Sequence, residues 1–349
     1  LLGKINIPIF GCISTTMSAR SFILSLTLLA VPLTGSAQDF SFLFKGYACP
    51  AEKTDTVSLC FIGDVMMHSR QLELASDGRG GFDFSSYFSG IRDRLEAADL
   101  CVANMEFSLG GEPYSGYPCF SAPDAYAEYV ADCGVDVFLT ANNHILDRGV
   151  KGLERTLGIY GEMGRKRGIQ HCGCGGHALL LPVKGCLVAI VNFTYGTNVR
   201  LSGGDCVNRM DEESVGAMLR EAKEAGADLI VACPHWGEEY KLSHSPKQER
   251  WARFLAENGA DVIIGHHPHV VQDRDTLVCR DGRRVPVCYS IGNAVSNMSA
   301  ANTQRELMVT LELTGKFGQG WRLGKMECIP MWCHRPGGRR KSYSVQIDR

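Results

Sequence analysis

The alternation of short apolar runs with amphipathic stretches of helical length is the strongest constraint on the fold of this chain. Apolar runs bounded by turn residues are typical of buried strands. Strands are predicted at 57–64, 99–106, 135–143, 186–194, 228–235, 261–267 and 285–293, with a late pair around 306–314 and 320–329. Helices are predicted at 122–134, 150–164, 212–226 and 245–259, each ending at a glycine. This alternation predicts an α/β fold.

The composition is that of an ordinary globular protein. The chain has 349 residues, of which 45% are hydrophobic and 21% charged, and its 36 basic side chains are balanced by 38 acidic ones. Proteins that bind nucleic acid usually carry a basic surface, which this balance does not provide. We therefore expect no nucleic-acid partner.

The N-terminal segment has the layout of a secretory signal peptide. An Arg-bearing start at Met17 precedes an apolar stretch at 22–33 and the small residues that end at Ala37. This stretch is shorter than the roughly 20 residues of a membrane-spanning helix. We expect export to the periplasm or the extracellular space, with membrane association if the signal stays uncleaved. The predicted organisation is an upstream extension and signal peptide at 1–37, with the start at Met17, a linker at 38–55 and a single domain at 56–349.

The chain contains fifteen cysteines, and export would permit disulfides. Several cysteines lie in or beside predicted strands, where a thiol packs as a small hydrophobe; these are Cys60, Cys101, Cys186, Cys233 and Cys288. Others lie in loop-like contexts and could pair, among them Cys49, Cys119, Cys172, Cys174, Cys279, Cys328 and Cys333. One sequence does not define their connectivity, so disulfide pairing stays open.

Polar side chains that can bind metal ions recur at the carboxyl ends of the predicted strands. They are Asp64, Glu106, Asn143, His144, His235, His266, His267 and His269. In open α/β sheets, ligand sites assemble at these strand ends. Taken singly, such residues have simpler interpretations, since Asp64 could cap a helix and Asn142 with Asn143 could form a turn. Those interpretations do not explain why the whole set follows apolar strands.

A mixed set of carboxylate, amide and imidazole ligands suits borderline or hard divalent ions such as zinc, manganese or iron. The number of ligands is enough for one or two such ions, and a pair of ions can clamp the attacking and leaving oxygens of a displacement. His267 and His269 are two positions apart, so both rings can reach one cluster from an extended segment.

The same residues carry a family resemblance. The blocks "FIGDVMMHSR", "CVANMEFSL", "FLTANNHILDRGVKGLERTL", "VACPHWGEEY", "GADVIIGHHPHVVQ" and "YSIGNAV" resemble, in this order, the CapA family of poly-γ-glutamate synthesis proteins. This family is a branch of the calcineurin-like metallophosphoesterase superfamily. The resemblance covers roughly residues 57 to 300, and the joint occurrence of the blocks is specific.

The resemblance implies a four-layer α/β/β/α sandwich of the metallophosphoesterase type. It also implies roles for individual residues. Asp64 and His269 would bind a first metal, Glu106 would bridge two metals, and Asn143, His235 and His267 would bind the second. His144 would be the catalytic general acid or transition-state stabiliser.

The chain departs from the superfamily pattern at the first block. Met66 stands where ordinary members have a histidine, and His68 could substitute only if the segment is helical there. His266 is interpreted as a residue behind the ligands or facing substrate. Three further residues are candidates for contact with substrate or ligands: Arg148, Glu238 and Asn142. Glu239 is an alternative to Glu238.

The segment "HCGCGGH" at 171–177 contains two Cys and two His residues. Its spacing is too tight for the usual structural zinc site. We interpret it as a glycine-rich turn before a strand.

Two functions follow from these patterns. The first is a secreted, metal-dependent hydrolase that acts on a phosphoester or an amide of a cell-envelope polymer such as poly-γ-glutamate. The second is a non-catalytic accessory component that binds such an anionic polymer, alone or within an envelope biosynthesis complex. One fold serves many reactions, so the substrate is not decided by the resemblance.

Overall fold

Two β-sheets form the centre of the computed structural model, which describes residues 55–201 and 204–348. The strands are β1 Asp55–Val65, β2 Leu100–Met105, β3 Val137–Leu139, β4 Gln170–Cys172, β5 Leu179–Val183, β6 Cys186–Thr194, β7 Leu229–His235, β8 Val262–Ile264, β9 Arg274–Val278, β10 Arg284–Cys288, β11 Arg305–Lys316, β12 Gly320–His334 and β13 Ser344–Ile347. The helices are α1 Ser69–Ala75, α2 Arg92–Ala97, α3 Asp124–Asp132, α4 Gly149–Arg167, α5 Glu212–Glu224 and α6 Pro246–Glu257.

Both sheets combine parallel and antiparallel pairs. The seven-stranded sheet has the order β13-β12-β11-β1-β2-β3-β4, and its strands from β1 to β4 are parallel. The six-stranded sheet has the order β5-β6-β7-β8-β10-β9, and its four central strands, β6, β7, β8 and β10, are parallel. Each sheet therefore brings the carboxyl ends of several neighbouring strands to one edge.

The two sheets pack face to face because successive side chains of a strand point to opposite faces. In β1, Leu59 and Phe61 lie in the apolar core shared with the six-stranded sheet, whereas Cys60 and Ile62 pack against α1–α4. In β6, the side chains on the face directed away from the seven-stranded sheet pack against α5 and α6. The result is four layers, helix, sheet, sheet and helix, which confirms the predicted fold class.

Local sequence signals explain where the helices begin and end. Ser245 caps α6 by accepting a hydrogen bond from the Gln248 amide, and Pro246 occupies the first helical position. Asp211 caps α5 by accepting a hydrogen bond from the Ser214 amide. Gly168 ends α4 at φ +79°, a conformation that glycine adopts without steric cost.

The predicted strands and helices are present, with boundaries that shift by a few residues. Strands β3 and β10 end well before their predicted ends, at Leu139 and Cys288, and the turn that carries Asn143 begins soon after β3. The pattern missed α1, α2 and four strands, namely β4, β5, β9 and β13. These elements are short or partly exposed, as in β9, where only Leu277 is buried, so their apolar signal is weak.

The described elements belong to one compact unit. The predicted signal peptide and nearly all of the linker lie outside the described residues. Among the described helices, none is both long and apolar enough to cross a bilayer. Every cysteine in the described part of the chain is a free thiol, so none of the pairings that the sequence left open is present there.

Candidate metal centre

Asp64 stands near the end of β1 and is fully buried. Its Oδ1 accepts a hydrogen bond from Asn104 Nδ2 at 2.7 Å, and its Oδ2 accepts one from the His267 main-chain N–H at 3.1 Å. Burial raises the pKa of the Asp64 carboxyl, but the hydrogen bond with His269 and the nearby imidazoles outweigh it and hold the pKa below its usual range. Asp64 is therefore an ionised carboxylate at the seam between the two sheets.

Glu106 follows directly after β2 and is also fully buried. Its Oε1 lies 3.6 Å from His235 Nε2 and 3.7 Å from His269 Nε2. Neither of its oxygens has a hydrogen-bond partner among the described residues. Burial and the charge of Asp64 raise the pKa of Glu106 well above its ordinary value, an environment that a bound cation would reverse.

The turn after β3 carries Asn142, Asn143 and His144. Asn192 of β6 anchors it, because the Asn192 Oδ1 accepts hydrogen bonds from the Thr140 and Ala141 amides at 3.1 and 2.8 Å. Asn143 Oδ1 lies 2.8 Å from His235 Nε2. Asn142 is committed to the main chain, since it donates to the Met105 carbonyl at 2.8 Å and accepts from the His144 amide at 3.1 Å. Asn142 thus shapes the turn and does not face substrate.

His144 forms a buried pair with Asp147. The distance from His144 Nδ1 to Asp147 Oδ2 is 2.7 Å, and the same carboxylate oxygen accepts the Phe120 amide at 2.7 Å. The edge of the Phe120 ring contacts His144, with ring centroids 4.6 Å apart. A carboxylate on Nδ1 holds the imidazole so that Nε2 is left to exchange a proton with a reacting group.

His235 is the last residue of β7 and is 1% exposed. Its Nδ1 lies 3.2 Å from Asn104 Nδ2, and its Nε2 faces Asn143 and Glu106. Burial and the neighbouring His267 lower the pKa of His235 well below its ordinary value. The ring is therefore neutral at physiological pH, the form that binds a metal ion.

The turn after β8 presents the histidine cluster through unusual backbone geometry. His267 has φ +98° and His269 has φ +59°, values that side-chain-bearing residues adopt rarely and mostly at functional sites. Gly265 precedes them where a Cβ would lie 2.1 Å from the Tyr289 carbonyl oxygen, so only glycine fits. Burial and the nearby His269 lower the pKa of His267 to about 3.

Asn293 orients His269. The Asn293 Oδ1 lies 2.9 Å from His269 Nδ1, and the Asn293 Nδ2 donates to the His269 carbonyl at 3.3 Å. A hydrogen bond at Nδ1 leaves Nε2, which faces Glu106, as the atom available to a metal ion.

The side chains form two adjoining groups that share Glu106. Asp64, Glu106 and His269 form one, which we name group A, and Glu106, His235 and His267 form the other, group B, with Asn143 beside it. Within each group of three, the ligand atoms lie within 4.8 Å of one another. A buried carboxylate without hydrogen-bond partners between two sets of metal-binding side chains fits a pair of divalent cations.

Residues 58–298 match the family model described as "Bacterial capsule synthesis protein PGA_cap". The chain belongs to this family. The predicted CapA-family membership is thereby confirmed, and the matched range contains every residue of groups A and B.

Relatives of this family member are found among characterised bacterial proteins. It is 28% identical over 309 residues to the "PGA biosynthesis protein CapA" of Bacillus subtilis (strain 168), covering 80% of this chain and 75% of that protein. It is 28% identical over 282 residues to the "Capsule biosynthesis protein CapA" of Bacillus anthracis, covering 75% of this chain and 65% of that protein. Among solved structures, the calcineurin-like phosphoesterase YfkN from Bacillus subtilis aligns with a TM-score of 0.45 and 14% identity, over 80% of this chain and 91% of that one.

Three tyrosines surround the site of this PGA_cap family member. Tyr117 is 70% exposed, Tyr195 42% and Tyr240 44%. Their ring centroids lie 6.5 Å from His144, 4.6 Å from His267 and 6.2 Å from His269, respectively. Each tyrosine is thus paired with a different histidine at the rim.

Glu239, and not Glu238, approaches the cluster. The carboxylate of Glu239 lies within 4.8 Å of ring nitrogens of His267 and His269. Glu238 lines a separate pocket of about 330 Å³ beside Tyr195. Between these residues and His235 the chain turns at Gly237, which has φ +93°. Of the two carboxylates that the sequence offered, Glu239 lies near the histidines, and contact of Glu238 with substrate stays a prediction.

Four other candidates lie apart from the two groups. Met66 is fully buried in the core between the seven-stranded sheet and its helices. His68 precedes α1, and its Nδ1 contacts Gln71 at 3.1 Å, so it joins neither group. Arg148 donates through Nη1 to the Pro113 carbonyl at 3.1 Å and so contacts the loop that carries Tyr117. His266 is 1% exposed and belongs to neither group.

Sequence reasoning missed the residues that hold the ligands in place. Asn104, Asp147 and Asn293 each contact a ligand or His144. Each had a local signal, since Asn104 is two positions before Glu106, Asp147 three after His144, and Asn293 belongs to the "YSIGNAV" block.

The segment 171–177 forms the predicted glycine-rich turn. Gly173, Gly175 and Gly176 all have positive φ angles. His177 pairs with Glu221 at 3.0 Å, whereas the His171 ring lies 5.9 Å from that of Tyr160. Its histidines face different neighbours, which agrees with a turn and not a metal site.

Proposed function

We propose that the protein is an exported, metal-dependent hydrolase that cleaves a phosphoester or amide bond in an anionic cell-envelope polymer such as poly-γ-glutamate. One observation carries this proposal: the partnerless, buried carboxylate of Glu106 stands between two groups of metal-binding side chains. Export rests on the signal-like segment that ends at Ala37.

The residues of group A and group B would hold two divalent cations. Manganese, zinc or iron suits this mixture of carboxylate, amide and imidazole ligands. The cations would supply Lewis acidity to the bond under attack.

His144 and the rim complete the site. Asp147 holds the imidazole, and His144 donates a proton to the leaving group or stabilises the developing charge. Burial raises the pKa of Tyr195 and of Tyr240 to about 12, so both phenols stay protonated and donate hydrogen bonds at physiological pH. Their rings offer apolar faces for the methylene groups of a polymer chain.

The names of the relatives support the polymer class. The Bacillus relatives are described as proteins of PGA and capsule biosynthesis. A function in capsule or polyglutamate synthesis agrees with the family to which the chain belongs.

The decisive experiment combines metal content with turnover. The purified chain should bind about two equivalents of manganese or zinc, and it should hydrolyse bis(4-nitrophenyl) phosphate or shorten poly-γ-glutamate. The His267→Ala/His269→Ala variant should lose both properties, and His144→Ala should lose turnover while keeping metal. Glu238→Gln is the matched control for Glu239→Gln, because only Glu239 lies near the histidines. Metal binding without turnover on either substrate would contradict the hydrolase.

The accessory function stays the second candidate, and Met66 favours it. Because Met66 is buried in the core, group A lacks the imidazole that ordinary superfamily members place there. A folded protein that binds poly-γ-glutamate without added metal, and that does not hydrolyse it, would establish this alternative.

A further inference from the structure

A pair of thiols lies where the two sheets approach each other, away from the residues of groups A and B. Cys288 is the last residue of β10 in the six-stranded sheet, and Cys328 belongs to β12 in the seven-stranded sheet. Their Sγ atoms are 3.8 Å apart. A disulfide needs about 2.05 Å between the sulfurs, so the two thiols must approach each other by a further ~2 Å for the bond to form.

The surroundings of this pair give one sulfur access to solvent. Cys288 is buried, whereas Cys328 is partly exposed and lines an open cleft of about 900 Å³ together with Arg274. Contacts with the Cys288 thiol and the Arg274 guanidinium lower the pKa of the Cys328 thiol below its ordinary value. A lower pKa favours the thiolate, which is the reactive form of a cysteine.

A second close pair of cysteines differs in its exposure to solvent. Cys60 and Cys101 are register partners on neighbouring strands, but both are at most 1% exposed. An oxidant has no route to them in the folded protein. Proximity and access coincide at Cys288 and Cys328, and also at Cys174 and Cys206, which contact each other nearer the surface.

We propose that Cys288 and Cys328 are a disulfide-forming pair that joins the two sheets covalently when a disulfide-bearing oxidant is present. The Cys328 thiolate attacks one sulfur of the oxidant, whose S–S bond breaks and releases one thiolate. Cys288 then loses its proton and attacks the Cys328 sulfur, which releases the second thiolate. Two cysteine thiols lose two electrons and two protons, and the oxidant becomes two thiols.

The disulfide would enclose a segment of chain that contributes to the site. The segment between the two cysteines contains β11 and also Asn293, which orients His269. Cross-linking a loop of this length restricts the unfolded chain and raises the melting temperature, by roughly 5–10 °C.

The test uses the full chain and oxidised glutathione. After oxidation, free thiols are alkylated under denaturing conditions, and the digest is examined by mass spectrometry. We expect a peptide pair linked through Cys288 and Cys328. Alkylation of both cysteines, or glutathione on Cys328 without the link, would overturn the proposal.

Thermal melts give an independent check. Oxidation should raise the melting temperature of the wild type and of the Cys119→Ser variant, whose exposed thiol lies elsewhere. It should have no effect on Cys328→Ser. Equal shifts in all three proteins would show that another modification causes the stabilisation.

Discussion

The two sheets contribute different chemistry to the same centre. The carboxyl ends of the seven-stranded sheet carry the candidate oxygen ligands Asp64, Glu106 and Asn143. The six-stranded sheet carries the candidate nitrogen ligands His235, His267 and His269. Neither sheet holds a complete set of ligands, so the site exists only because their edges meet. One contact between the two edges is the hydrogen bond from the His267 amide to Asp64.

The two groups differ as well. Group B has four candidate ligands when Asn143 is included, whereas group A has three. Among the described residues, the segment after β1 supplies no imidazole to group A, because Met66 is buried in the apolar core and His68 contacts Gln71. We therefore expect the cation at group A to bind more weakly, unless Glu239 adds its carboxylate.

The largest expected effect comes from the residue that both groups share. Glu106→Gln keeps the shape of the side chain but removes its charge, so both cations should be lost and turnover should fall by about 1000-fold or more. Metal analysis and turnover on the same sample measure this. Retention of one equivalent of metal would show that Glu106 serves one group only.

A smaller effect is expected at the edge of the six-stranded sheet. Asn293→Ala removes the hydrogen bond to His269 Nδ1, and metal affinity at group A should fall by roughly 10- to 100-fold. Titration with manganese followed by calorimetry separates the two binding steps. If the stronger step weakens instead, His269 belongs with the second cation.

A substitution at Gly63 tests the close contact between β1 and the Gly292 main chain. A Cβ at Gly63 would lie 1.9 Å from the Gly292 carbonyl oxygen, so Gly63→Ala should destabilise the fold by about 1–3 kcal/mol. Gly158 is the matched control, since it lies in α4 and a Cβ there meets nothing within 4 Å. Gly158→Ala should stabilise the protein by roughly 0.5–1 kcal/mol. Chemical denaturation of both variants gives the two values.

The smallest effect on metal binding is expected when Met66 is replaced by the histidine that ordinary superfamily members have at this position. Met66 is buried among apolar side chains, so Met66→His should leave the metal content unchanged. It should lower stability by about 1–3 kcal/mol, because the imidazole would be buried without a partner. A gain in affinity at group A would mean that the segment after β1 can turn towards the cluster.

Much of the site could be predicted because its ligands follow apolar strands. Asp64 is the penultimate residue of its strand, His235 is the last residue of another, and Glu106 comes directly after a third. Their partners could not be predicted in the same way. Asn293 reaches His269 across 24 positions, and Asn104 reaches His235 across 131 positions. No local pattern encodes contacts over such separations.

The sequence by itself determined the α/β class, the family and the set of metal-binding side chains, because hydrophobic periodicity and short motifs are local properties. Only the tertiary structure decided how those side chains meet. The face-to-face packing of the sheets made Glu106 common to two groups, and the fold brought Glu239 near His267 and His269. The physical reason is that sheet packing and turn geometry depend on contacts between segments that are distant along the chain.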